Sequence, residues 1–283
     1  MLPTVSMVYN LRIAQITKQP LIDHAKNKKH TPILLLFDQY HKKYSAMIQN
    51  YPGFLGAYIY NYGLYYGRID MAVAGINKSF QKSTLYAGTQ TDDILFTFGK
   101  NWMLKPAHQN PSIITLSGLC GLPTHKVYEL VHPQFGIAQM GLGLQLDSSW
   151  GFNQTSALLV SARYLYFVPR KARDYSGKHY KLTIDNFADV LIACKNRWAL
   201  HGMELGYTAR CAWGAHIIPY LKDFGPQHTY TRSNFYAVYK YIFSIKETTN
   251  RLLFNIAYGF DHQHKKYNNK YILTTWASWS INF

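Results

Sequence analysis

The sequence predicts an all-β protein, a membrane-spanning up-and-down antiparallel β-barrel of about 12 strands. Three observations predict it. Apolar and polar residues alternate over runs of about ten residues or more. Connections between these runs are alternately short and long. Aromatic residues make up 16% of the chain. Charged residues also make up only 16%, compared with roughly 25% charged residues in an ordinary soluble domain, so a charged surface cannot cover the whole molecule.

The alternation is clearest near the C-terminus. Every even position from 252 to 260 is apolar, whereas the odd positions hold Arg251, Asn255, Gly259 and Asp261. The same two-residue period recurs over 235–245, 203–213, 158–166 and 138–146. Runs of this length suit tilted strands that cross a bilayer, which need roughly nine to eleven residues, better than the five or six residues typical of soluble strands.

Thirteen segments qualify as candidate strands. They are 5–16, 31–38, 54–61, 64–76, 92–103, 111–121, 134–147, 154–168, 180–194, 199–214, 233–246, 250–262 and 270–283. Single-chain bacterial barrels have an even strand number with both ends on the periplasmic side. We therefore expect 12 strands within 21–283, with 1–20 as an N-terminal strand or a plug or tether. The alternatives are 10 strands, or 14 with a first strand before residue 1.

Several other classes are excluded. No segment approaches the 18 to 20 continuous apolar residues of a transmembrane helix, and mean hydropathy is −0.19. The N-terminus lacks the basic, apolar and small-residue regions of a signal peptide. Cys120, Cys194 and Cys211 show neither a disulfide framework nor zinc spacing, so we expect no metal and no cofactor. The basic residues form no nucleic-acid reader motif.

The last thirteen residues, YILTTWASWSINF, form an amphipathic strand. One face carries Tyr271, Leu273, Ala277, Trp279, Ile281 and Phe283, and the chain ends on that phenylalanine. The segment resembles the C-terminal assembly signal of Gram-negative outer-membrane proteins. The resemblance implies location in the outer membrane, contact with its lipids, and recognition of Tyr271, Trp279, Ile281 and Phe283 by the barrel-assembly machinery. The soluble alternative is a tyrosine-rich β-sandwich or propeller.

The net charge of +16 falls on two sets of positions. One set occupies long connections, around Arg170, Lys171, Arg173, Lys178, Lys265, Lys266 and Lys270, where it would face lipopolysaccharide phosphates. The other set has inward parity on the strands and predicts the lumen lining. Its members are Arg12, Arg68, Asp70, Asp147, Arg163, Lys181, Glu204, Arg210, Lys240, Arg251 and Asp261.

This lining favours a passive pore for small polar, anionic solutes. An ion-paired polar core that fills a closed barrel is the equal alternative, with a structural, adhesive or autotransporter-type role. An outer-membrane hydrolase ranks third, and no His-x-Ser sequence occurs. Asp92, Asp93, Asp261, His262 and His264 could be arranged as in an omptin-type protease, but Asp92 and Asp93 have the wrong neighbours for that site, and adjacent strand residues such as Asp261 and His262 point to opposite faces. We expect no enzyme activity. The oligomeric state and the solute are open at this point.

Deletion of Phe283 should impair assembly more than the stability of the finished barrel. Burial of one ring contributes only a few kcal/mol, whereas recognition of the last strand before closure depends on few contacts. In cells, the deletion variant should accumulate as protease-sensitive periplasmic protein, yet refold in detergent as the parent does. Normal surface assembly of the variant would show that the terminal aromatic residue is no signal here.

Overall fold

The structure is a computed structural model. It describes residues 30–43, 47–80, 83–104, 112–124, 128–129, 140–173, 179–183, 186–213, 216–217, 230–245, 248–262 and 270–282. These residues form seventeen strands, and within them no helix has the length and hydropathy needed to cross a membrane. The predicted N-terminal strand or plug at 1–20 and Arg12 lie outside the described residues.

Twelve strands form a closed antiparallel barrel. They are β1 (His30–Lys43), β2 (Met47–Tyr62), β3 (Tyr65–Phe80), β5 (Ile94–Met103), β6 (Ile113–Leu122), β8 (Gly141–Gly151), β9 (Ser156–Phe167), β12 (Asn186–Trp198), β13 (His201–Trp213), β15 (Tyr230–Ile245), β16 (Thr248–His262) and β17 (Lys270–Asn282). Each strand pairs with its neighbour in sequence among the twelve, and β17 pairs with β1. The predicted barrel of 12 strands is confirmed.

The two ends of the barrel differ. One end, called the turn end, holds the start of β1, the finish of β17 and the short turns at 63–64 and 199–200; Gly63 and Ala199 have positive φ angles of 59° and 49°. The opposite end, called the loop end, holds the long connections 123–140, 168–185, 214–229 and 263–269. Both barrel termini therefore lie at the turn end, as in barrels whose short turns are periplasmic.

Five further strands lie outside the twelve. β4 (Ser83–Thr91) pairs with β3 and is separated from β5 by Asp92 and Asp93. The others form a small separate sheet within the loop-end connections: β7 (Tyr128–Glu129), β10 (Arg170–Arg173), β11 (His179–Thr183) and β14 (His216–Ile217). Lys181 lies on β11, opposite Lys171 of β10. The predicted strand 180–194 was therefore wrong at its start, and Lys181 is not part of the barrel wall.

Other strand boundaries also differ from prediction. β8 runs to Gly151 instead of ending at 147, and β12 runs to Trp198 instead of 194. β1 and β2 extend to Lys43 and back to Met47, well beyond the predicted 31–38 and 54–61. In each case the added residues are paired with a neighbouring strand, and backbone pairing does not require an alternating sequence.

The outer surface of the barrel is apolar. Every one of the twelve strands exposes at least one large apolar side chain, for example Leu34, Phe54, Ile69, Phe98, Leu116, Leu144, Tyr164, Ile192, Leu205, Phe235, Phe254 and Leu273. Near the turn end, this surface carries exposed aromatic rings, Tyr62, Trp102, Trp150, Trp198 and Trp279. An apolar band bordered by an aromatic girdle is the surface of a barrel that spans a bilayer, and barrels of this kind belong to outer membranes.

Two tyrosines cross glycines of the neighbouring strand inside the barrel. The ring of Tyr66 lies over Gly99, and its hydroxyl is 2.7 Å from Oγ of Ser117. The ring of Tyr236 lies over Gly206, and its hydroxyl donates to Oε1 of Glu204 at 2.7 Å. A Cβ atom on either glycine would approach the tyrosine ring to 2.5 Å or less. Glycine is required at both positions because only a bare backbone leaves room for the ring.

Substitution of Gly99 by alanine should destabilise the barrel by about 1–3 kcal/mol, because the added methyl group displaces Tyr66 from Ser117. The free energy of unfolding by urea in lipid vesicles measures this. Gly118→Ala is the matched control, since a Cβ there has no heavy atom within 4 Å. Equal stability of the two variants would contradict the close packing described for Tyr66.

Candidate lumen site

A buried ion cluster joins three adjacent strands in the barrel lumen. Arg163 on β9 donates from Nε and Nη2 to the two carboxylate oxygens of Asp189 on β12, at 3.3 and 2.8 Å. Arg210 on β13 donates from Nη2 to Asp189 at 2.9 Å. The side chains of Arg163 and Asp189 are 3% exposed and that of Arg210 is 11% exposed. Two guanidinium groups thus share one carboxylate, and the cluster has a net positive charge.

The register of the strands produces this cluster. Asp189 is the direct cross-strand partner of both Arg163 and Arg210, and partners on one face of a sheet have Cβ atoms about 4.5–5.5 Å apart. An aromatic ring completes the cluster from the same strand as Asp189. The guanidinium carbons of Arg210 and Arg163 lie 4.0 and 5.6 Å from the ring centroid of Phe187, within the range of cation–π attraction.

Two further polar pairs lie on β3 and β8. Arg68 donates from Nε to both carboxylate oxygens of Asp70, at 2.7 and 2.9 Å, although the two residues are on one strand. Gln145 donates to Asp147 at 2.8 Å. These four residues are all less than 8% exposed. A paired and hydrogen-bonded arrangement is what buried charges require.

The lumen wall also contains many apolar residues, interspersed with further polar ones. Ile33, Leu35, Leu55 and Ile59 belong to a buried hydrophobic cluster that also includes Leu165, Leu191 and Leu253. Leu35, Leu55 and Leu165 are 0% exposed. An interior this apolar was not predicted. Since strands here can carry apolar residues on both faces, alternation alone did not reveal it.

The structure places most predicted lining residues inside the barrel. Arg68, Asp70, Asp147, Arg163, Lys240 and Arg251 are buried, and Glu204 and Arg210 are half-buried. Asp261 lies on β16 as the register partner of Arg232 and Lys270. Among the predicted lining residues with described side chains, taken together with Asp189, five are basic (Arg68, Arg163, Arg210, Lys240, Arg251) and four acidic (Asp70, Asp147, Asp189, Glu204). Asp92 and Asp93 are also buried, and the half-buried Lys195 has the same parity as Asp189.

Asp189 was missed although it links both arginines. Its neighbours of the same parity, Phe187 and Leu191, are apolar and buried, while Val190 is apolar and exposed. The sequence around it therefore gives no inward polar face. The usable signal is the cross-strand position: an acidic residue opposite two arginines once the strands are aligned.

Among the residues of the predicted assembly signal, Trp279 and Ile281 lie near the turn end, whereas Tyr271 lies at the loop-end start of β17. Trp279 is 45% exposed on the outer surface, and its indole donates to Oδ1 of Asn250 at 3.1 Å. Ile281 is half-buried, and Tyr271 lies on β17 with the same parity. Phe283 lies outside the described residues. Among the described residues, no group of three histidine, cysteine or acidic side chains could hold a metal ion.

Comparison with solved structures agrees with this architecture. The chain is similar to the COG4313 outer membrane channel from Pseudomonas putida F1, with a TM-score of 0.72 and 12% sequence identity, over 91% of this chain and 98% of that one. The fold is that of an outer-membrane barrel. At 12% identity the likeness concerns the fold alone.

Two further solved structures match with lower TM-scores. The NanC porin and the Pseudomonas putida toluene transporter TodX each match with a TM-score of 0.47 and 10% identity, over 87% and 96% of this chain and 98% and 94% of theirs. No protein-family model and no curated protein sequence matches the chain.

Replacement of Asp189 by asparagine should destabilise the barrel by about 3–5 kcal/mol, because it leaves two buried guanidinium groups without their shared counter-charge. Urea unfolding in lipid vesicles measures the loss. Ser161→Ala, on the lumen face of the adjacent strand, is the control and should cost about 1 kcal/mol or less. A loss for Asp189→Asn as small as that of the control would show that the cluster does not contribute to stability.

Proposed function

We propose that the chain is a passive channel of the outer membrane, with a narrow lumen that favours small polar, anionic solutes. The closed barrel and its apolar outer band support a membrane channel. The observation that carries the preference for anions is the cluster of Arg163, Asp189 and Arg210, in which basic groups outnumber the acidic one inside the wall. Charged side chains that line a pore set its ion selectivity.

The preference for anions should be modest. The predicted lining residues with described side chains and Asp189 include five basic and four acidic groups, and the buried Asp92 and Asp93 and the half-buried Lys195 add charges of both signs. A pore with such a balance repels cations weakly and leaves size and hydrogen bonding to select among solutes.

One observation favours a second candidate function, a closed barrel with a structural or adhesive role. Solvent reaches 0% of the surface of Arg251 and only 2–5% of that of Asp70, Asp147 and Arg163. A wide, water-filled pore would expose such groups far more. Conductance of the refolded protein in a planar bilayer separates the two functions, because a closed barrel carries no current.

We also propose the partners that the fold would meet. The aromatic girdle at the turn end would contact phospholipid headgroups. At the loop end, β10 and β11 place Arg170, Lys171, Arg173 and Lys181 in one small sheet, where lipopolysaccharide phosphates are the nearest anions. The barrel-assembly machinery would recognise β17 during insertion.

Arg210→Glu should reverse the ion preference of the channel. The substitution changes the charge by two units, so the net charge of the cluster formed with Arg163 and Asp189 falls from +1 to −1. The reversal potential in a salt gradient should move from anion to cation preference.

Lys100→Glu is the control because it makes the same charge change on the outer face, where Lys100 lies 5.3 Å from the ring centroids of Tyr65 and Trp102. It should leave the reversal potential unchanged. A conducting Arg210→Glu variant with the parent's reversal potential would place Arg210 outside the ion path.

A further inference from the structure

We infer that the solute path follows one spiral polar seam, a run of consecutive polar register partners in a lumen whose other polar side chains are interspersed with apolar ones. The seam is defined by the residues Tyr66, Ser117, Gln145, Arg163, Asp189 and Arg210. This inference rests on the proposed channel function and adds to it the route and the class of solute. The solutes are small anions with several hydrogen-bonding oxygens, which can exchange partners along the seam.

The seam follows from strand register. Consecutive members are direct cross-strand partners from β6 to β13: Ser117 with Gln145, Gln145 with Arg163, Arg163 with Asp189, and Asp189 with Arg210. On β5, Gly99 is the partner of both Ser117 and Tyr66, and the ring of Tyr66 lies over Gly99 to reach Ser117. The seam therefore has one residue on each of six strands, β3, β6, β8, β9, β12 and β13, and it passes Gly99 on β5.

The same row of register reaches both ends of the barrel. Tyr66 is the partner of Asn61, which lies just before the turn at 63–64. At the other end, Arg210 is the partner of Arg232, then Asp261 and finally Lys270, the first residue of β17 after the loop-end connection. Because barrel strands are tilted, a row perpendicular to them climbs around the lumen. This row climbs from the turn end to the loop end.

A second polar row runs beside the seam. It contains Asn101, Thr115, Asp147 and Ser161, which are also consecutive register partners. Thr115 donates to Asn101 at 2.7 Å, and Gln145 of the seam donates to Asp147 at 2.8 Å. Beyond these two rows, the next lumen-facing residues on β6 and β9 are apolar, Leu119 and Leu165 on one side and Ile113 and Leu159 on the other.

Folding alone does not require such a seam. The apolar side chains around it show that this lumen can be filled without charge, and replacement of a buried ion pair by apolar residues is often neutral or stabilising. Residues that break the prevailing pattern of a fold are expected at functional sites. A row of polar residues from Tyr66, near the turn end, to Arg210, near the loop end, offers a polar solute a path along which lost hydrogen bonds are replaced.

Cysteine substitution tests the path with matched pairs on the same strand face. Ser117→Cys and Leu119→Cys compare the seam with the apolar wall on β6. Ser161→Cys and Leu159→Cys make the same comparison for the second polar row on β9. All four are made in the chain whose Cys120, Cys194 and Cys211 are replaced by alanine. The probe is the anionic reagent 2-sulfonatoethyl methanethiosulfonate, with labelling followed by mass spectrometry and current followed in a planar bilayer.

The serine-derived thiols should react at least tenfold faster than the leucine-derived thiols, and their modification should reduce the current. Equal or slower labelling at Ser117→Cys than at Leu119→Cys in a conducting barrel overturns the seam as the path but leaves the channel proposal intact, and the Ser161→Cys result shows whether the second row is also part of the path. Fast labelling without any change in current also overturns it. Absence of current in the parent chain overturns the channel proposal, and the path falls with it.

Discussion

The structure depends on closure of the barrel by the pairing of β1 with β17. Inside a bilayer no water is available to satisfy backbone N–H and C=O groups, so a sheet can span it only if it has no open edge. Ten consecutive register pairs, from Ile33 with Ser280 to Lys42 with Tyr271, close the wall. Once this register is set, each strand has a fixed inner and outer face, because a slip by one residue would turn Leu35 outward and Leu34 inward.

The same constraint arranges the lumen. Register, not sequence proximity, brings Arg163, Asp189 and Arg210 together from three strands and aligns them with Gln145 and Ser117. The charged cluster and the apolar residues of the lumen contribute to stability in different ways. The cluster stabilises only as a complete set, since a buried charge that loses its partner costs several kcal/mol. The buried apolar residues around it contribute the hydrophobic stabilisation of a packed interior. The continuous polar seam is the feature of the lumen that the proposed channel explains.

The sequence predicted the barrel because its outer face must be apolar wherever lipid touches it. The even positions 252–258 and the odd positions 235–239 follow this requirement, and the structure exposes Phe254, Tyr258 and Phe235 accordingly. Inside the barrel no such requirement holds, so Leu35 and Arg163 are both lumen residues. Arg68 and Arg251 could be predicted as inward because each is adjacent in sequence to an apolar residue of the lipid-facing set. Asp189 could not, nor could Lys181 be assigned to a loop-end sheet, because both depend on which strands lie side by side.

Magic-angle-spinning NMR of the protein in lipid bilayers would test the central claim most directly, through interstrand contacts between Cα protons of β1 and β17 and of β9, β12 and β13. The account predicts contacts for Ile33 with Ser280, Arg163 with Asp189, and Asp189 with Arg210. A register shifted by two residues at either place would keep every side chain on its face but separate the charges. Such a shift, or the absence of any contact between β1 and β17, would contradict the account.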